Sequence, residues 1–169
     1  MVDAKDWTWV LERRCAECDF DAGALERADI GSTARRVADR FVSFLDRDDV
    51  RSRPEPDTWS VLEYGCHVRD VCRVMDGRLQ LMLAEDGAGF ENWDQDETAI
   101  EDDYVSQDPA TVADELAIAA RIVADRFDGV TGDQWSHHGV RSNGSLFTVE
   151  TLGQYMAHDL VHHVWDVER

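Results

Sequence analysis

The sequence predicts an all-α protein, a four-helix bundle with a long connection between its second and third helices. Three observations carry that expectation. Four segments repeat apolar residues at helical spacing. Capping signals open three of them. At 169 residues, with no internal repeat or linker, the chain suits one domain with one good core.

The first helix is expected from about Glu26 to Leu45, where Ile30, Ala34, Val37, Phe41 and Leu45 recur by threes and fours. Gly31 weakens its opening, which places the start nearer Ser32. The link through Pro54 and Pro56 cannot continue a helix. Ser60-Val61-Leu62-Glu63 then forms a capping-box pattern. Tyr64, Val68, Val71, Met75, Leu79 and Met82 make the apolar stripe of the second helix, to about Ala84. From Glu85 to Asp108 the chain is acidic and aperiodic, and a connection of that length is usually functional or mobile.

Asp108-Pro109 supplies an N-cap and an N1 proline for the third helix, which ends at Asp128-Gly129. Asn143-Gly144 signals a tight turn, suited to a small hairpin. Thr148 caps the last helix, expected to run to about Val167 and to be well buried. Residues 1–25 remain as an N-terminal extension of the single domain.

Acidic residues number 36 and basic residues 17, for a net charge of −19. Such a field repels phosphate backbones and anionic membranes, so neither is an expected partner. No stretch is long and apolar enough to span a bilayer, and Met1 to Asp6 lack the regions of a secretory signal. A cytoplasmic location is therefore expected. A homodimer is left open.

The residues richest in chemistry are histidines. His158 and His162 lie at i and i+4, on one face of the last helix. His67 lies on the flank of the second helix's stripe, at the edge of the core. Three imidazoles from two facing helices would hold a divalent ion and leave coordination positions open, as catalytic sites do; imidazole favours zinc or nickel. The plainer reading is three half-buried histidines. His163 points about 100° away from His162 and is read as the spare.

Cys15-x2-Cys18 supports three readings: half of a zinc site, a redox pair, or two ordinary thiols. Its nearest plausible partners are His137 and His138. Cys66 and Cys72 read as core cysteines.

Two stretches, Trp59-Ser60-Val61-Leu62-Glu63-Tyr64-Gly65-Cys66-His67-Val68-Arg69-Asp70 and Tyr155-Met156-Ala157-His158-Asp159-Leu160-Val161-His162-His163, resemble the DinB-like superfamily. That superfamily includes the metal-binding domain of mycothiol-dependent maleylpyruvate isomerases. The resemblance covers the chain from roughly Glu26 onward, and the histidine pattern is its specific part. It implies a four-helix bundle holding a divalent ion on His67, His158 and His162.

It also implies a metal-dependent enzyme that activates a low-molecular-weight thiol such as mycothiol, for transfer to an electrophilic substrate or for isomerisation. The alternative is a non-catalytic metal-binding, stress-response or sensor module. Glu63, Asp70, Asp159 and Asp166 are candidates to orient an imidazole, and Arg69, Arg73 and Arg141 to meet an anionic substrate. No catalytic residue is assigned. The Cys-x2-Cys leader and the acidic middle loop depart from the family and could reshape the site.

Overall fold

The computed structural model describes residues 6–169. Residues 1–5, on which the secretory-signal reading rests, lie outside them. Among the described residues are five α-helices: α1 (Ile30–Leu45), α2 (Val61–Ala84), α3 (Gln95–Glu101), α4 (Pro109–Asp128) and α5 (Val149–Glu168). Four of them form the expected bundle, with α1 and α2 each packed against α4 and α5. Consecutive helices α1 and α2 therefore sit diagonally across it.

The capping signals act as the sequence predicts. Ser60 Oγ accepts the Glu63 amide at 3.3 Å, and the Glu63 carboxylate accepts the Ser60 amide at 2.9 Å. Asp108 accepts the Thr111 amide, and Thr148 that of Thr151. The start of α1 differs from expectation. It begins at Ile30, because Gly31 is where α1 meets the end of α4: a Cβ there would lie 2.3 Å from Asp128 Oδ1. Close approach, and not a helix break, explains that glycine.

The connection between α2 and α4 has more structure than its composition suggests. It holds strand β1 (Ala88–Phe90), α3 and a 3₁₀ turn at Tyr104–Ser106. The expected hairpin forms from β2 (His138–Arg141) and β3 (Leu146–Thr148), with Gly144 at a φ of 91° in the turn. β1 pairs parallel with β2, Ala88 opposite Gly139, and β3 pairs antiparallel on the other side, Phe147 opposite Gly139. Short runs with little alternation hide these strands in the sequence.

The core is continuous. Phe41, Leu62, Val71, Leu79, Leu116, Val123, Phe127, Leu152, Met156 and Leu160 are all buried. Their burial is the main force holding the four helices together. The N-terminal extension lies against α5 through 3₁₀ turns at Thr8–Leu11 and Ala22–Ala24. No helix of the described residues is long and apolar enough to cross a membrane.

Candidate metal centre

Helix α5 presents two pairs of donors, offset by one residue and so by about 100° around its axis. Among the described residues, metal-ligating side chains gather into two groups, and each takes one pair. Asp159 and His163 join His67 of α2; His158 and His162 join Cys15 and Cys18 of the extension. The three histidines expected to share one ion are thus divided. His163, read as the spare, lies with His67.

In the first group a single oxygen of Asp159 lies 3.4 Å from His67 Nε2 and 3.1 Å from His163 Nε2. Donors at ~2.0–2.1 Å around a tetrahedral ion are separated by about 3.3 Å. The contact to His67 is long for a charge-assisted hydrogen bond and close to that edge. Two imidazoles and a carboxylate also match the donors of catalytic zinc sites with an open position. The residues present fit a divalent ion.

His67 is not at the edge of the core, as its helical position suggested, but 0% exposed. The cause lies in the connections on either side of α2. Trp93 stacks on its ring at 5.4 Å and 3°, and Trp59 packs at 5.3 Å. Trp93 is held in turn by a hydrogen bond from its indole N–H to Thr98 Oγ1, 2.8 Å. His67 Nδ1 has no hydrogen-bond partner among the described residues, so on that side the ring is held by the packing of these indoles and not by an acceptor.

His163 is oriented differently. Its Nδ1 lies 3.0 Å from Asp166 Oδ2, a carboxylate–histidine arrangement that directs the other nitrogen toward Asp159. Asp159, Asp166, His163 and Tyr155 line a cavity of about 180 Å³ that His158 and His162 of the second group also border, with Gln95 and Trp7 on its wall. His67 closes the first group from behind.

The remaining candidates are engaged elsewhere. Glu63 pairs with Arg53 and its capping box, and Asp70 with Arg69, Arg73 and Tyr104. Arg141 bonds Asn143 and Ser145, and reaches the site only through a long contact, 3.5 Å, to the Tyr155 hydroxyl. His137 bonds the Met82 carbonyl and His138 lies beside Asp86, so neither joins the cysteines.

Charge is distributed unevenly. Burial opposes ionisation of His163, but hydrogen bonds to Asp159 and Asp166 outweigh it and raise its pKa to about 9. Burial also opposes the charge of Asp159, yet its bonds to His163 and His67 hold it well below the usual carboxylate range. Burial lowers His67 and His162, and takes His158 down to about 4. Without an ion the first group is a protonated His163 beside an ionised Asp159.

A stability prediction follows for chelator-treated protein. A folded pKa of about 9 against an ordinary 6.5 gives His163 a stabilising effect that is complete below pH 6.5 and lost as pH rises through 9. Above pH 7.5 the other three histidines of the two groups, all lowered by burial, are neutral in both states and contribute little. Between pH 7.5 and 9, wild type should lose on the order of 1–2 kcal/mol more than His163→Gln. Urea unfolding of both proteins measures this, and the variant also subtracts the ionisation of thiols common to both. Parallel losses in the two proteins would contradict it.

A four-helix bundle with donors converging between α2 and α5 defines a class of metal-binding helical proteins. The profile of the DinB superfamily matches residues 31–167, and the chain belongs to that superfamily. A solved structure, YfiT from Bacillus subtilis, superposes with a TM-score of 0.73 at 17% identity, covering 84% of each chain. It is described as a probable metal-dependent hydrolase with an unusual four-helix bundle topology. The search of curated proteins finds no match.

Proposed function

We propose that this chain is a divalent-metal-dependent enzyme acting on small molecules, with the ion held by His67, Asp159 and His163. The observation that carries the reading is the convergence of these three donors beside an open cavity of about 180 Å³. Zinc or nickel suits the donor set. The ion supplies a lowered pKa to a bound nucleophile, and the nucleophile we favour is a low-molecular-weight thiol of the mycothiol kind, delivered to a small electrophile.

The protein's own residues do the rest. Asp166 keeps the His163 imidazole turned toward the cavity, and Trp59 and Trp93 keep water from the rear of His67. Burial raises the Tyr155 pKa, so its hydroxyl stays protonated as a hydrogen-bond donor to substrate in the cavity. Gln95 offers an amide on the same wall.

Hydrolysis, with water in place of the thiol, is the second reading, favoured by the description of the YfiT structure. Metal-loaded protein assayed with electrophiles and with esters or amides, each with and without thiol, separates the two. Turnover that requires thiol and disappears in His67→Ala is expected. Turnover without thiol selects hydrolysis, and no metal-dependent turnover on either panel would favour a non-catalytic module.

A further inference from the structure

The Cys-x2-Cys motif plays no part in the centre above, yet it lies against the same helix. We infer that Cys15, Cys18, His158 and His162 form a second, closed zinc site that clasps the N-terminal extension onto α5. The inference stands apart from the proposed activity, because it uses neither His67, Asp159 nor His163.

The local fold prepares the motif. The Cys15 amide donates to the Phe20 carbonyl at 2.9 Å, and the Asp19 amide donates to the Cys15 carbonyl at 3.0 Å. Asp19 takes a left-handed backbone, φ 59°, which aspartate tolerates better than most residues. This turn brings both thiols within 4.8 Å of the donor nitrogens of His158 and His162. Cys15 Sγ lies 3.7 Å from His162 Nδ1. Sulfur at ~2.3 Å and nitrogen at ~2.0 Å on a tetrahedral zinc would be about 3.6 Å apart.

A second observation points to a ligand. His158 is 4% exposed, and its buried Nε2 has no hydrogen-bond partner among the described residues. Leaving such an atom unsatisfied is costly, and coordination would remove that cost. His162 uses Nδ1 toward Cys15, while its Nε2 faces the Glu17 carboxylate at 3.6 Å, an acceptor that favours that tautomer. Two thiolates also neutralise a zinc ion in a buried place.

The donor set separates the two centres by type. Two sulfurs and two nitrogens fill a tetrahedron from protein alone, as structural zinc requires, whereas the first group has three donors and an open side. The extension has reason to need a clasp. Its buried apolar side chains, Val10, Cys15 and Ala22, are few for a segment running from residue 6 to the start of α1.

Cobalt substitution of the full chain under reducing conditions tests this directly. The wild type should show an intense thiolate-to-cobalt charge-transfer band without any added thiol. Cys15→Ser/Cys18→Ser should lose the band, and His67→Ala/His163→Ala should keep it. Zinc analysis should fall from about two ions per chain to about one in either variant. Proteolysis before residue 30 should quicken by at least about tenfold in metal-free wild type. A folded wild type without the band would overturn the site, whether or not the serine variant folds. So would a serine variant that keeps the band, which would assign it to Cys66 or Cys72.

Discussion

His163→Ala is expected to weaken metal binding at the three-donor centre by on the order of 10²–10³-fold and to lower any metal-dependent turnover by at least about 100-fold. His67→Ala should do the same, since each removes one of only three donors. His158→Ala and His162→Ala should leave this ion in place, because their rings lie with the cysteines. Asp159→Asn should be intermediate: the amide retains an oxygen but not the charge that two imidazoles face. Competition with a chromophoric chelator gives the affinities variant by variant. If His163→Ala bound metal as wild type while His158→Ala and His162→Ala did not, His67 would share its ion with the His-x3-His pair after all.

The second large effect concerns stability. Asp70→Ala should destabilise the fold by about 2–4 kcal/mol, the cost of taking the two-pronged partner from a buried guanidinium and the acceptor from a buried hydroxyl. Arg69 is 3% exposed and Asp70 7%. The guanidinium donates to both Asp70 oxygens, Nε at 2.9 Å and Nη2 at 3.0 Å, and the Tyr104 hydroxyl donates to Oδ2 at 2.6 Å. Removing the carboxylate leaves Arg69 only the Glu115 and Gln107 oxygens at its Nη1, and leaves the Tyr104 hydroxyl without its acceptor. Glu115, the outer partner of Arg69, is 40% exposed at its side chain, and Glu115→Ala should cost under about 1 kcal/mol. Urea denaturation compares the two. An Asp70→Ala loss below that of Glu115→Ala would mean the network is solvated.

What was legible followed from local rules. The periodic runs beginning Ile30, Val61, Val112 and Leu152 had only to bury one face, and Ser60, Asp108 and Thr148 cap helices by contacts three residues away. Short strands such as Ala88–Phe90 were not legible, because β1 exists only through its pairing with β2, fifty residues on. The site was half legible. Its residues were on the page as motifs, but a one-residue offset on α5 decides which pair faces α2, and helical spacing alone admits both. The missed residues were Asp159 as a donor and His163 as its neighbour; the Asp-x3-His spacing they share is the signal that could have found them. Trp93 carried no local signal, since it covers His67 from the far side of a long connection.

The diagonal placement of α1 and α2 bears on how the chain reaches this structure. In a bundle of hairpins, neighbouring helices zip together as they form, and short-range contacts make folding fast. Here α1 meets α4 and α5 across a long span of sequence, and α2 also waits for partners C-terminal to the middle connection. A chain emerging from the ribosome with only its first two helices has little more than the contact of Leu45 on Gly65 to hold them together. Half of this protein is not half of a bundle. Its folding should be slower than its helix content suggests, and its amphipathic α1 and α2 are surfaces a chaperone would meet until α4 and α5 arrive.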